Sequence, residues 1–182
     1  MVAATPRTAG TDVKGPIVAK TTQQPPEFAD TAPYTVDYVH DCPAPVEAAF
    51  EVFKDNRGGT RWLGWFVTAV TPTSDPEHGV GSTRTVTFLY GLGSLEERFV
   101  AWEENRLWSF TATSFRPRFF SSFMERVTFE AVDETRCRIH YRAGIDFTAL
   151  GRPFARPAIA FLNRAIVPTL ERMSALAVEQ LR

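Results

Sequence analysis

The sequence predicts an α+β fold in which an antiparallel sheet of six to seven strands wraps around a long C-terminal helix. Three observations carry this reading. Stretches of alternating apolar and polar residues recur between Tyr34 and Phe147, separated by short turn-forming segments, which is the spacing of hairpins in a meander. One short helical pattern interrupts them early, and a much longer one closes the chain. A sheet that is solvated on one face must bury the other, and a helix laid across the buried face can enclose a pocket.

The elements follow in order. Residues 1–33 are rich in Ala, Thr, Pro, Gln and Gly, and Pro25-Pro26 and Pro33 punctuate their end. So little apolar surface does not offset ordering entropy, so a flexible tail is expected over 1–33 and one folded domain over 34–182. Tyr34, Val36, Tyr38 and His40 alternate with Thr35, Asp37, Val39 and Asp41, a first strand. Val46, Ala49, Phe50 and Phe53 then recur at helical spacing behind Pro45, where a helix tolerates proline. Arg57-Gly58-Gly59 ends that helix, and a short turn carries Trp62, Leu63, Trp65 and Phe66.

Six strands are expected next, at 67–73, 82–90, 95–102, 107–114, 122–132 and 136–147, each bounded by turn residues such as Gly91-Leu92-Gly93 or Asp133-Glu134-Thr135. From Phe154 to Leu181 one apolar stripe recurs at three- and four-residue steps. Pro168 lies inside it and is expected to kink or divide the helix.

Composition excludes several function classes. A net charge of −1 gives no electrostatic footprint for nucleic acid. No apolar run has transmembrane length and the N-terminus lacks the apolar stretch of a secretory signal, so a cytoplasmic protein is expected. Cys42 and Cys137 are too few for a disulfide framework, and three scattered histidines with no acidic partner at ligand spacing argue against a metal site. No metal and no cofactor are expected. Fifteen phenylalanines serve either a plain core or the walls of an apolar cavity.

Four segments carry a family resemblance. Asp41-Cys42-Pro43-Ala44-Pro45-Val46, ahead of Phe50, is similar to the DAP-x-x-x-V opening of the START-like, or SRPBCC, superfamily. Gly79-Val80-Gly81-Ser82-Thr83-Arg84-Thr85-Val86 resembles its GxGSxRxV strand. Leu95-Glu96-Glu97-Arg98-Phe99 resembles its L-x-E-x-(V/F) strand, and Thr135-Arg136-Cys137-Arg138-Ile139 its GTRVxW strand. The resemblance covers about 34 to 182 and is nearest the branch called polyketide cyclase/dehydrase and lipid transport. Cys42 and His40 depart from it, standing where Ala and an aliphatic residue are usual. The resemblance implies the helix-grip fold, whose first and last strands pair, bringing Cys42 near Cys137. It implies no single function, because such proteins include lipid carriers, hormone receptors and aromatase/cyclases.

Strand alternation identifies candidate pocket residues. Arg84, Val86, Phe88 and Tyr90 share one face of their strand, as do Leu95, Glu97, Phe99 and Ala101 of the next. Phe123 and Glu125, then Tyr141, fall on the apolar faces of the last two strands, and Phe161 and Ala165 lie on the stripe of the closing helix. A pocket lined by these residues is apolar apart from Arg84, Glu97, Glu125 and Tyr141. A buried charge must be paired, so Arg84 is expected beside Glu97, Glu125 or both.

Those groups serve one of three ends: a structural ion pair, an anchor that orients a ligand, or catalysis. In the last, Glu97 or Glu125 acts as a base and Arg84 stabilises an enolate. The expected function is binding of a small hydrophobic lipid, polyketide-like or isoprenoid-like molecule. The alternatives are a metal-free cyclase/dehydratase and a partner-binding protein whose pocket has collapsed around its Phe residues. His40 shares the inner face of the first strand and is expected to be a satisfied core or rim residue. The loop Phe115-Arg116-Pro117-Arg118-Phe119-Phe120 mixes cations and rings, and it either packs on its own helix or touches a membrane transiently at the pocket entrance. Nothing in the sequence sets the oligomeric state.

Overall fold

The computed structural model describes residues 20–182. Seven strands form one sheet in the order β1-β7-β6-β5-β4-β3-β2, with every neighbouring pair antiparallel. They are β1 (Tyr34–Cys42), β2 (Val67–Pro72), β3 (Thr83–Phe88), β4 (Gly93–Glu103), β5 (Leu107–Arg116), β6 (Phe120–Asp133) and β7 (Arg136–Phe147). Three helices accompany them: α1 (Phe28–Thr31), α2 (Val46–Lys54) and α3 (Ala155–Glu179). The helix-grip arrangement is therefore present, with seven strands. Pairing of β1 with β7 places Cys42 directly opposite Cys137, and both are buried free thiols.

α3 divides the interior. It passes through Pro168 as one element. In its C-terminal half Leu170, Met173, Ser174 and Ala177 are buried as the helix packs on β1 and α2. In its N-terminal half Ala158, Phe161, Leu162 and Ala165 are only partly covered by protein. One half of the helix thus completes the core, and the other roofs a space.

Two expectations are corrected. The strand ending in Tyr90 stops at Phe88, because Leu89, Tyr90 and Gly91 take left-handed backbone at φ 46°, 56° and 93°. The pleat is lost there, and Tyr90 points into solvent, 95% exposed.

Residues 20–33 are not a free tail, whereas 1–19 lie outside the described residues. The β5–β6 ladder ends at Thr111↔Met124, and residues 20–24 bridge the strands beyond that point. The Thr21 amide donates to the Thr113 carbonyl (3.0 Å) on β5, and the Thr22 amide to the Ser121 carbonyl (2.8 Å) on β6. Gln24 adds bonds to the Thr111 and Ser122 hydroxyls at 2.9 and 3.0 Å. α1 then lies on β7, burying Ala29 and pairing Asp30 with Arg126 and Arg142. Backbone donors and charge pairs hold this segment, so no apolar periodicity announces it.

A Cβ added at Gly144 would come within 2.5 Å of the Phe28 carbonyl oxygen and 2.9 Å of Ala29 Cα. Gly144→Ala is expected to lower stability by about 1–3 kcal/mol, as overpacking does, and to expose the Thr21 and Thr22 amides to exchange. A denaturant melt combined with hydrogen-exchange mass spectrometry tests this.

Candidate functional site

Between the sheet and the N-terminal half of α3 lies a cavity of about 540 Å³, within the range of small-molecule sites. Val86, Phe88, Phe123, Tyr141, Phe161 and Ala165 line it, and Arg84, Glu97, Glu125 and Arg116 supply its charged groups. All but Arg116 were identified as candidates by strand or helix alternation. Phe99 was as well, but it does not line the cavity. Its ring packs instead against Trp102, Trp108 and Phe110, because its strand neighbours close over it.

Arg84 and Glu97 stand opposite each other across the β3–β4 ladder, 4% and 3% exposed. Arg84 Nε donates to Glu97 Oε2 at 2.5 Å, and Nη1 donates to Asn56 Oδ1 at 2.9 Å. The guanidinium carbon lies 5.0 Å from the Phe99 ring and 5.7 Å from those of Trp108 and Phe110, the geometry of a cation–π contact. Two of its five N–H groups thus donate to protein partners. Asn56, just beyond α2, was not foreseen, since a single polar residue in a loop carries no periodic signal.

Glu125 is different. Its one side-chain partner is Tyr141, whose hydroxyl donates to Oε2 at 2.7 Å. The half-covered carboxyl borders the cavity rather than bulk water. Desolvation, reinforced by the nearby Glu97 charge, pushes it up to about 8, with the Tyr141 hydrogen bond and Arg84 opposing. Burial also raises Glu97, but there the Arg84 charge and hydrogen bond oppose it directly. Tyr141 is held well above the ordinary tyrosine range by burial and by Glu125. At neutral pH Glu125 is therefore a neutral acid that keeps an O–H to donate, while Glu97 is the partner of Arg84.

The remaining walls come from two aromatic-rich segments that lie outside the strand alternation. Trp62, Leu63 and Phe66 close one side, while their neighbour Trp65 faces solvent. The β5–β6 turn and the strand ends beside it contribute Phe115, Phe119 and Phe120. His40 does not reach the cavity. It accepts or donates a 2.7 Å bond with Ser174 Oγ in a separate open groove beside Asp41 and Glu171, and desolvation lowers its pKa. His78 meets the Lys54 carbonyl, and His140 meets Asp37 on the outer face. Among the described residues, no group of three His, Cys, Asp or Glu side chains is arranged to hold a metal ion, and no helix is long and apolar enough to cross a membrane.

A curved antiparallel sheet closed by a long helix over an apolar cavity defines a helix-grip protein. Residues 33–178 match the family model described as polyketide cyclase / dehydrase and lipid transport, and the chain belongs to that family. No curated protein matches it. Among solved structures it resembles the ZhuI aromatase/cyclase of Streptomyces sp. R1128, with 14% identity, coverage of 82% of this chain and 96% of that one, and a TM-score of 0.67. It also resembles norcoclaurine synthase of Thalictrum flavum, solved with dopamine and hydroxybenzaldehyde (13%, 98% and 96%, TM-score 0.61). A third is a protein of Thermobifida fusca (20%, 78% and 94%, TM-score 0.60). At these identities the likeness is one of fold.

Two predictions follow from the polar groups. Arg84→Met would strand a buried Glu97 and is expected to cost about 3–5 kcal/mol, with most of that recovered in Arg84→Met/Glu97→Leu; urea melts of the three proteins decide it. The second concerns pH. Between the ordinary carboxyl value of 4.5 and about 8, the unfolded chain has released the Glu125 proton and the folded protein retains it. Stability therefore falls as pH rises through that window and levels off above it. Glu125→Gln should flatten that fall in Tm, leaving only the slope of the remaining groups.

Proposed function

We propose that the protein binds a small, uncharged and largely apolar molecule in the cavity, oriented by Glu125 and Tyr141. The observation that carries this reading is an apolar chamber of ligand size whose buried cation, Arg84, is paired with Glu97, while Arg116 at its edge donates to the Gly91 carbonyl. Arg84 is engaged by Glu97, Asn56 and three rings, so an anionic ligand deep in the chamber would have to compete with Glu97 for it and would lose its hydration. A ligand carbonyl or hydroxyl, by contrast, meets the Glu125 acid. Aromatic and aliphatic walls suit a lipid, polyketide-like or isoprenoid-like skeleton. A pocket collapsed around its phenylalanines, the alternative weighed from the sequence, would leave no such space.

A second reading is supported by Glu125 itself. A carboxyl with a pKa of about 8, hydrogen-bonded to a phenol and facing a water-poor chamber, is poised for proton transfer near neutral pH. An acid–base enzyme of the cyclase or dehydratase type would use it to protonate or deprotonate a bound carbonyl compound. Two of the similar structures are named as a synthase and an aromatase/cyclase.

Native mass spectrometry of freshly purified protein, followed by solvent extraction, tests the first reading. A discrete adduct of apolar chemistry is expected, and Ala165→Phe, which narrows the chamber, should abolish it while the protein remains folded. A protein that takes up no member of a lipid and polyketide panel would count against binding. With the compound in hand, Glu125→Gln separates the readings. A carrier keeps its ligand with affinity reduced about tenfold, the worth of one lost hydrogen bond of about 1–1.5 kcal/mol, whereas an enzyme keeps binding and loses turnover.

A further inference from the structure

The cavity mouth carries exposed apolar residues and cations that have no carboxylate partner. In the turn after β3, left-handed backbone at Leu89 and Tyr90 is costly for side-chain-bearing residues, yet its outcome is to direct Tyr90 and Leu92 outward, 95% and 78% exposed. The Arg116 guanidinium holds the turn by donating to the Gly91 carbonyl at 2.5 Å. Leu89 and Leu92 border the cavity as well, as does the half-exposed Phe161 of α3. The Phe66 ring lies 5.6 Å from that of Phe161 and 6.2 Å from that of Trp65, which is 83% exposed. On the far side Phe119 meets the exposed Phe154 ring at 5.7 Å. Single exposed apolar residues are ordinary, whereas a continuous set around an opening marks an interaction surface.

The charge pattern at the mouth is one-sided. Three of the segments that build it, residues 88–95, 115–124 and 147–170, contain Arg116, Arg118, Arg152, Arg156 and Arg164 and no Asp or Glu. None of these five forms a salt bridge among the described residues. Elsewhere most arginines of the described residues are paired with a carboxylate, among them Arg57, Arg126, Arg136, Arg138 and Arg142, whereas Arg172 donates to the Trp62 carbonyl. Cations left free beside protruding aromatic and aliphatic side chains complement a surface of phosphates with hydrocarbon beneath. Tyr and Trp are the residues that settle at such an interface. Trp65, Tyr90 and Leu92 stand out on turns beside the opening, which suits a deformable layer better than a folded protein partner.

We propose that the cavity mouth docks on an anionic lipid bilayer, with Tyr90 and Leu92 entering the headgroup layer and Arg118, Arg152 and Arg156 on lipid phosphates. This deepens the binding reading by naming the place where an apolar ligand is collected or delivered.

Flotation of the full chain with phosphatidylcholine vesicles, with and without phosphatidylglycerol, tests it. Co-flotation with the anionic vesicles is expected, weakened at least about tenfold without the anionic lipid or at high salt. Tyr90→Asp/Leu92→Asp and Arg118→Glu/Arg152→Glu should each weaken it at least about tenfold without changing Tm. Wild-type tryptophan emission should shift to the blue on binding, and Trp65→Phe should lack the shift. No flotation with anionic vesicles overturns the proposal, as does flotation unchanged in both double variants. Binding that needs the arginines but not Tyr90 and Leu92 also overturns it, because the attraction is then electrostatic alone and no apolar group enters the headgroup layer. Native mass spectrometry on the same preparation keeps the two readings apart. Protein that retains a cavity ligand yet does not float sinks the docking alone, and protein that floats but takes up no ligand sinks the cavity reading alone.

Discussion

The buried pairing of Arg84 with Glu97 governs the chemistry of the interior. Two charges removed from water are costly unless they satisfy each other and their remaining hydrogen-bonding groups are met. Here Glu97, Asn56 and three aromatic faces surround one guanidinium. The consequence reaches beyond the pair. With Glu97 already carrying the negative charge, a second ionised carboxylate nearby is disfavoured by repulsion as well as by desolvation. Glu125 therefore holds its proton, and the chamber presents a neutral acid and a phenol to whatever occupies it.

The walls depend on a division of labour along α3 and on a split in the sheet. The C-terminal half of the helix is anchored by Leu170 and Met173, both fully buried, so the N-terminal half can stand off the sheet without loosening the fold. On the opposite side β5 and β6 part beyond Thr111↔Met124, and residues 20–24 bridge the opening with backbone hydrogen bonds. The same divergence frees the β5–β6 turn, which with the strand ends beside it sends Phe115, Phe119 and Phe120 to the mouth of the chamber. Core, chamber and mouth are thus consecutive zones along one helix.

Much of this was legible in the chain. Period-two alternation is a direct consequence of strand geometry, so it placed Arg84, Glu97, Glu125 and Tyr141 on one face without any knowledge of neighbours. It could not show where the pleat stops, and Tyr90 was misplaced because three successive left-handed residues turn the chain out of the strand. Nor did it separate residues that face a space from residues that face a ring, which is why Phe99 was assigned to the chamber.

The sequence by itself determined the order of elements, the inward face of each strand and the need for a carboxylate beside Arg84, because periodicity and the cost of a bare buried charge are local or pairwise rules. Tertiary structure alone decided that the carboxylate is Glu97, that Asn56 completes the set and that Glu125 is left to Tyr141. It also decided that residues 20–33 belong to the fold. These depend on distances between segments far apart in the chain, and short polar segments carry no pattern that encodes such distances.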